Sequence, residues 1–427
     1  MRGQRAISII GSGQAGLVLA HHLIGHGYEV TLYSDRTAAQ WLNEARPTGV
    51  AYLFAETLDI ERELGIDHWS ATMREGGGAY IKALTAPDSE PLTVVARSTR
   101  PGAAVDQRMK MHRWMLDFEA RGGRIVHESV TPERATVIAA ASELTVLAAG
   151  KADLSRLIPR DDIRSVYAAP ARRLAAGIVR KAKGWRGEID FDPIKFSALG
   201  PVGEIFWVPF THKTEGPSWA FIVEARPGSP LDTFGECKTG EQIVAFVRDA
   251  VRRFAPWDYD GIADMEYIAE DPYSWLTGAF PPTVRQAFGR LPNGALLMPI
   301  GDTAITFDPI GGQGGNNATR NAKFIGDAIV RHGGGTFGQA WMTKVFEDYW
   351  AFHGGHAYSF NNLFLDPTPA LGELLAASAQ DSRIADEFIA GGQTEPRKMF
   401  PWLDDLDETR RHLDHFRRRA DAGAVAG

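Results

Sequence analysis

Apolar residues near the N-terminus follow first the pattern of a strand and then that of a helix. The β-branched run Ala6–Ile10 predicts a buried strand, and apolar residues recur at helical spacing over 17–24. A second strand is predicted over Glu29–Tyr33. The chain therefore begins as strand, turn, helix and strand, which is the order of a parallel α/β unit.

The turn between the first strand and the helix contains glycines at the spacing of a dinucleotide-binding loop. Gly11 would make the tight turn, Gly13 would let a pyrophosphate approach the helix N-terminus, and Gly16 would let helix and strand pack closely. Asp35 follows the second strand, where a carboxylate accepts hydrogen bonds from a ribose. This pattern predicts a dinucleotide site without separating FAD from NAD, and a purely structural glycine turn is the alternative.

A second glycine loop occurs far along the chain, in the stretch "GDTAITFDPIGGQGGNNATRNA" at 301–322. An apolar strand, Asp302, the glycine loop and a helix follow one another, which creates a second set of backbone N–H groups at a helix N-terminus. Two such loops suit one long ligand, and FAD has an ADP end for the first and a ribityl chain and flavin ring for the second. A surface turn is the alternative. A buried strand at Leu144–Ala149 ends at Gly150, where a cofactor could also approach.

The two loops lie far apart in sequence, so the FAD-binding domain is predicted to be discontinuous. Between them, Glu204–Phe210 and Ser218–Val223 have the apolar patterns of an antiparallel sheet, and helical spacing dominates from Trp341 onward. The predicted organisation is a first part of the FAD-binding domain at 1–165, a substrate-binding β-sheet domain at 166–280, a second part of the FAD-binding domain at 281–340, and a C-terminal helical region at 341–427.

Composition restricts the classes of function. The 427 residues carry a formal net charge of -7 and no long basic run, which argues against nucleic-acid binding. The single cysteine, Cys237, excludes an internal disulfide framework and favours a reducing cytoplasm. No apolar stretch approaches membrane-spanning length, so no membrane partner is expected. His353 and His356 lack an evident third ligand, and no metal site is predicted.

The chain resembles the FAD-dependent styrene and indole monooxygenases, which are oxygenase components of two-component flavoprotein systems. The resemblance rests on the segments "IGSGQAGL", "VTLYSDR", "AVDQRM", "TVLAAGK", "GEIFWVPF", "VEARPGSPL", "GDTAITFDPIGGQGGNNA" and "SRIADEF". It implies an α/β fold with a Rossmann-like FAD-binding domain of the glutathione-reductase type, an inserted antiparallel-sheet substrate domain and C-terminal helices. A homodimer is compatible with it.

The resemblance also implies the roles of individual residues. The cofactor-binding set is Gly11, Gly13, Gln14, Ala15, Gly16, Ser34, Asp35, Arg36, Arg46, Arg108, Gly150, Gly301 and Asp302, with Arg46 and Arg108 neutralising the pyrophosphate. The loop along the flavin ring would contain Pro309, Gly312, Gln313, Gly314, Gly315 and Asn316. The substrate pocket would include Thr48, Val50, Trp207 and Pro209. No catalytic side chain is predicted, since oxygen transfer from a flavin requires no obligatory acid or base.

The activity implied by the resemblance is epoxidation of a styrene- or indole-like alkene, with sulfoxidation as an extension. Reduced FAD from a separate NAD(P)H-dependent reductase would react with O2 to give a C4a-hydroperoxyflavin, which attacks a small apolar aromatic substrate. "AAGKADLSR" lacks the Asp-Gly pair of single-component hydroxylases, which favours the separate reductase. The segment 46–50 departs from the Arg-Leu-Leu-Asn-Thr run usual in the family, so the substrate stays open. The alternatives are a single-component NAD(P)H-dependent aromatic hydroxylase and a non-catalytic prenyl-carrier-like binding protein.

Overall fold

The computed structural model describes residues 5–47, 49–86, 89–150 and 152–425. The strands are β1 (Ala6–Ile10), β2 (Glu29–Ser34), β3 (Glu75–Ala83), β4 (Leu92–Val105), β5 (Arg124–His127), β6 (Leu144–Leu147), β7 (Arg173–Arg180), β8 (Pro193–Ala198), β9 (Gly203–His212), β10 (Gly216–Ala225), β11 (Glu266–Tyr267), β12 (Trp275–Gly278), β13 (Thr283–Val284), β14 (Gly289–Arg290), β15 (Leu296–Pro299) and β16 (Ile305–Thr306). The helices are α1 (Gln14–Gly25), α2 (Ala38–Asn43), α3 (Ala55–Glu63), α4 (Gln107–Ala120), α5 (Pro132–Ala140), α6 (Ala152–Ser155), α7 (Gly240–Phe254), α8 (Tyr259–Ile262), α9 (Gly314–His332), α10 (Gln339–Tyr349), α11 (Gly355–Leu365), α12 (Pro369–Gln380), α13 (Ser382–Ile384), α14 (Gly391–Thr394) and α15 (Leu406–Val425).

A six-stranded sheet carries the N-terminal part of the fold. Its strand order is β14-β15-β6-β1-β2-β5, and all pairs except β14 with β15 are parallel. The strands at its centre are apolar on both faces because helices α1 and α4 cover one side and α5 covers the other. The carboxyl ends of β1, β2 and β6 therefore meet at one edge, where open α/β sheets bind ligands.

A second, eight-stranded and mainly antiparallel sheet lies beside the first. The path β11-β7-β10-β9-β4-β3-β8 connects seven strands, β12 also pairs with β7, and β8 pairs with β9. Helix α7 covers one face of this sheet and packs Ile243, Val247 and Val251 against Trp207 and Phe221. The other face is apolar and is turned toward the C-terminal helices, so this sheet has two differently occupied faces.

The second sheet extends beyond the range predicted for it. Strands β3 and β4 come from the segment assigned by the sequence to the first part of the FAD-binding domain, 1–165, yet they pair with β8 and β9. Partners so distant in sequence leave no trace in local periodicity, which explains the difference. Of the helices within the described residues, none is long and apolar enough to cross a membrane.

Candidate active site

One large cavity, of about 640 Å³, runs from the first sheet to the apolar face of the second. Gly11 and Asp35 line it at the carboxyl edge of the six-stranded sheet, and Gly312 lines its middle. Phe206 of β9 and Phe364 of α11 line its far end. The cavity thus brings the two glycine loops predicted from the sequence to one continuous space.

The three glycines of the first loop are constrained by different neighbours. Gly11 has a φ of 116°, and a Cβ there would lie 2.5 Å from the carbonyl oxygen of Ala148. A Cβ on Gly16 would lie 2.0 Å from the carbonyl oxygen of Gly11. A Cβ on Gly13 would meet no protein atom within 4 Å, and this residue lines the cavity. Gly11 and Gly16 are therefore required by the protein's own packing, whereas Gly13 leaves room on the cavity side.

Residues at the end of β2 divide between lining the cavity and supporting it. Asp35 and Arg36 line the cavity, as predicted for a ribose and phosphate site. Ser34 is buried behind them, and its hydroxyl lies 2.6 Å from that of Ser12 in the glycine loop. The indole N–H of Trp41 donates to Ser12 at 3.0 Å. Ser34 thus holds the first loop in place from behind.

The second loop presents a carboxyl group and a helix N-terminus to the same cavity. Asp302 is exposed to the cavity, and desolvation by the surrounding walls raises the pKa of this carboxyl to about 6. The turn then passes through Gly312, whose φ is 65°, to Gly314 at the start of α9. A Cβ on Gly314 would meet no protein atom within 4 Å. The free N–H groups of α9 therefore begin beside open cavity space.

The side chains of Gln313 and Asn316, predicted to lie along a flavin ring, instead anchor the loop. Asn316 accepts a hydrogen bond from the backbone N–H of Phe54 at 2.9 Å and donates to the carbonyl of Tyr52 at 2.9 Å. Gln313 donates to the carbonyl of Gln393 at 2.9 Å. Neither of the two predicted side chains lines the cavity. They fix the backbone that does.

The apolar end of the cavity has one face of the second sheet as its floor. Phe206 and Val208 of β9 face the cavity, together with Ile222 of β10. Trp207 and Pro209, which were predicted for the substrate pocket, lie on the opposite face of β9, where Trp207 is fully buried under α7. Because every residue of this strand is buried, the sequence gives no hydrophilic face from which to choose the register. Of the neighbouring aromatic residues Phe206 and Trp207, Phe206 therefore lines the pocket.

Comparisons with known proteins agree with this geometry. Residues 150–260 match the family model described as "Styrene monooxygenase A putative substrate binding domain". Styrene monooxygenase StyA of Pseudomonas fluorescens is 28% identical over 333 residues, which is 77% of this chain and 78% of that protein. The resemblance stated from the sequence is confirmed. The chain is a FAD-dependent monooxygenase.

Solved structures share the fold at low sequence identity. A flavoprotein/dehydrogenase from Cytophaga hutchinsonii has a TM-score of 0.65 and 15% identity, covering 99% of this chain and 100% of that chain. The myxobacterial chondrochloren halogenase CndH, a FAD-dependent halogenase, has a TM-score of 0.65 and 16% identity, covering 96% of each chain. The predicted fold class, with its parallel FAD-binding sheet and separate antiparallel sheet, is thus confirmed.

The cavity of the monooxygenase fits its cofactor at several independent points. Gly13, Gly150 and Gly314 line the cavity, and a Cβ on any of them would point into space that holds no protein atom within 4 Å. A phosphate or a ring can approach such backbone closely. Asp302 offers a carboxylate to hydroxyl groups at the point between the two loops. We expect FAD to lie along this line of residues.

Two arginines of the monooxygenase do not lie where the sequence predicted. Arg108 is fully buried and pairs with Asp106 at 2.7 Å and with Asp271 at 2.6 Å, away from the cavity. Arg46 donates to the carbonyl of Trp275 and stacks over its ring at 4.7 Å. Contrary to the prediction, neither arginine lines the space in which a pyrophosphate would lie. Asp106 caps α4 and attracts the nearby Arg108 inward, a pairing that the motif "AVDQRM" does not reveal.

The remaining predicted residues divide between the cavity surface and the structure behind it. Gln14, Ala15, Val50, Pro309 and Gly315 line the cavity. Gly301 lies behind it, where its N–H donates to Asn321 at 2.9 Å. Thr48 lies outside the described residues. In the described part of the chain no cluster of three or more histidine, cysteine or acidic residues could hold a metal ion.

The sequence did not predict the contribution of the C-terminal helices to the cavity. These helices and the segments between them provide Phe360, Leu363, Phe364, Leu371, Ile389 and Met399 as lining residues. Helical periodicity indicated the helices themselves. It could not show which apolar face packs on a neighbour and which borders a cavity, because both require the same residue types.

A buried pair of carboxyl groups adjoins the second loop. Glu224 of β10 is fully buried near Asp308, whose carboxyl group accepts a hydrogen bond from the N–H of Ile310 at 3.2 Å. Burial, and then the Asp308 charge, raise the pKa of Glu224 well above its usual range. Burial also raises the pKa of Asp308, although the neighbouring Glu224 carboxyl group and the Ile310 N–H oppose this shift. The nearby cation Arg172 is held by Glu204 at 2.7 Å. Glu224 is therefore the carboxyl group of this pair that retains its proton to the higher pH.

Proposed function

We propose that this monooxygenase epoxidises an uncharged aromatic alkene of the styrene or indole type, and also oxygenates aryl thioethers. The observation that carries the proposal is the lining of the cavity. Among the described residues, its charged side chains are Asp35, Arg36 and Glu128 beside the first glycine loop and Asp302 in the second. The end beneath the second sheet is apolar, so a carboxylate substrate would find no cation there.

The chemistry of oxygen activation comes from the cofactor. Reduced FAD supplies two electrons that activate O2, so that one oxygen atom enters the substrate and the other leaves as water. The name of the StyA relative supports styrene as the first substrate to test.

The residues of the chain have three tasks in this reaction. The backbone at Gly13 and Gly314 binds the cofactor. The carboxylate of Asp302 accepts hydrogen bonds from the cofactor's hydroxyl groups. Asn316 and Gln313 hold the second loop rigid, so that the reacting groups keep one orientation. The apolar walls exclude water from the site of oxygen transfer.

We also propose that the electrons arrive on FAD reduced by a separate NAD(P)H-dependent flavin reductase. The chain segment after β6 lacks the Asp-Gly pair of single-component hydroxylases. On this proposal the pure chain oxidises neither NADH nor NADPH at a significant rate.

The test supplies the purified protein with chemically reduced FAD and air, and then offers styrene, indole or methyl phenyl sulfide. Chromatography should detect styrene oxide, indigo derived from the indole epoxide, or the sulfoxide. Oxygenation of a hydroxybenzoate in place of all three would refute the substrate class. Rapid, substrate-stimulated NADPH consumption by the chain alone would refute the separate reductase.

A further inference from the structure

Two hydrophobic clusters border the apolar end of the cavity, and the space beside each cluster is named here as a chamber. The first, here called the sheet chamber, is lined by Val50, Phe54, Ala176, Phe206, Val208 and Ile222, which pack as one cluster. The second, the helix chamber, is lined by Ile81, Leu363, Leu371, Ile389, Met399 and Leu403, which belong to another cluster. Phe54 reaches to within 3.9 Å of a Cβ position on Gly312, so the sheet chamber adjoins the second glycine loop.

An aromatic ring stands at the junction of the two chambers. Phe196 of β8 is half-buried, lines the cavity and packs against both clusters. Its ring stacks on Phe206 of the sheet chamber, with centroids 5.5 Å apart and planes inclined by 24°. On its other side it contacts Phe364 of α11 at 6.1 Å. Phe196 therefore lies where the part of the cavity beside the glycine loop meets the part beneath the C-terminal helices.

We propose that the helix chamber binds the distal, uncharged part of a substrate longer than styrene, while its alkene lies in the sheet chamber. This inference rests on the proposed function and narrows its substrate class to arylalkenes that carry an alkyl or second aryl group. Both chambers are lined by aliphatic, aromatic and methionine side chains, so a charged or strongly polar tail would lose hydration without gaining a partner. An alkyl tail instead gains affinity with each buried methylene group.

On this proposal the position of the helix chamber makes substrate length, and not only polarity, a basis of selection. A styrene-sized molecule bound beside the glycine loop would make no contact in the helix chamber. A substrate that extends past Phe196 contacts residues of α11, of α12 and of the π-helical segment at 385–390. These contacts lie away from the reacting carbon atoms, and they hold the alkene in place by anchoring its far end.

The experiment compares styrene with para-butylstyrene in three proteins. We expect wild type to show a kcat/KM for para-butylstyrene about tenfold or more above that for styrene. Ile389→Phe narrows the helix chamber and should lower this preference at least tenfold, mainly because para-butylstyrene binds with a higher KM. Ala176→Leu narrows the sheet chamber and should reduce kcat/KM for both substrates while leaving their ratio within about twofold. Leu363→Phe, at a half-buried position, replaces Ile389→Phe if that variant does not fold.

Equilibrium binding separates this inference from the proposed function. The affinity of FAD-loaded protein for para-butylethylbenzene and ethylbenzene, which lack the alkene, is measured without turnover. A weaker affinity for the butyl compound in Ile389→Phe supports the chamber even if no alkene is oxygenated, in which case the proposed function fails alone. The chamber assignment is overturned if wild type binds the two probes with equal affinity. It is also overturned if the Ile389 and Ala176 variants lose equal affinity for the butyl compound. Neither result affects the oxidation of styrene.

Discussion

Gly13 and Gly16 are three residues apart, and they should respond in opposite ways to an added side chain. Gly13 has extended backbone angles, φ of -76° and ψ of -176°, which any residue adopts, and its Cβ would enter the cavity without meeting a protein atom within 4 Å. Gly13→Val should therefore leave the unliganded protein folded. Since Gly13 occupies the N-cap of α1, the loss of a good capping residue sets the expected destabilisation at about 1 kcal/mol or less.

The same substitution should remove much of the cofactor affinity. A valine side chain occupies the space through which a pyrophosphate reaches the N–H groups of α1. Loss of one to two charge-assisted hydrogen bonds amounts to about 3 kcal/mol, which is roughly a hundredfold increase in Kd. Gly16→Ala should behave differently, because its Cβ would lie 2.0 Å from the carbonyl oxygen of Gly11 and force the helix and the loop apart. Overpacking of this kind costs about 1–3 kcal/mol, and the protein itself should lose stability.

The assay combines urea unfolding of the FAD-free proteins with FAD titration followed by flavin fluorescence. Gly314→Val and Gly315→Ala form a second matched pair at the other loop. The Gly314 Cβ meets no protein atom within 4 Å, whereas the Gly315 Cβ would lie 2.6 Å from the Cβ of Ala51. A folded Gly13→Val protein that retains wild-type FAD affinity would refute the placement of the pyrophosphate. A Gly16→Ala protein as stable as wild type would refute the packing argument.

Three further substitutions concern charged groups. Asp302 has a folded pKa of about 6, above its unfolded value, so wild type loses stability as the pH rises from about 4 to 6. After allowance for solvent screening at this cavity-facing group, Asp302→Asn should be more stable than wild type by about 1 kcal/mol at pH 8. The same variant should bind FAD more weakly in a titration. Glu224→Gln removes a titrating carboxyl group from a buried position, and urea unfolding should show it losing less stability than wild type as the pH rises through the raised pKa of Glu224. Arg108→Met leaves the buried Asp106 without a charged partner, while Asp271 keeps His212 and Lys213. It should cost about 3 kcal/mol in unfolding free energy, and the FAD affinity of its folded fraction should stay within about threefold of wild type. The role of Asp302 would be contradicted if Asp302→Asn were no more stable than wild type above pH 6. A pH profile of Glu224→Gln parallel to that of wild type would contradict the raised pKa of Glu224. A large loss of FAD affinity in Arg108→Met would contradict the position of Arg108 away from the cofactor.

Local pattern was sufficient for the FAD-binding sheet. Strand β1 was predicted with the bounds that the structure shows, and β2 was one residue short of its end at Ser34. The glycine spacing located both loops. A backbone that lies close to a ligand requires residues without side chains, and such glycines are visible in the sequence. Long-range pairing was not visible: β3 and β4 join the second sheet although many residues separate them from their partners.

Side-chain direction was the part of the site that local pattern could not supply. The strand containing Phe206 and Trp207 is buried on both faces, so no alternation distinguishes the cavity side from the α7 side. Arg108 was assigned to a phosphate because of its charge, whereas the structure satisfies that charge with Asp106 and the distant Asp271. A buried arginine needs partners of opposite charge, and their proximity depends on the folded chain.

The buried carboxyl pair connects the substrate wall with the second glycine loop. Ile222 lines the sheet chamber, and Glu224, two residues further along β10, points to the same face of the sheet. Glu224 lies near Asp308, and Asp308 accepts a hydrogen bond from Ile310 at the turn that leads to Gly312. The second glycine loop therefore meets the strand that lines the sheet chamber at two buried carboxyl groups. Because a buried carboxylate is costly, the proton on Glu224 keeps a second charge out of this contact, which favours a fixed position of the loop against the strand.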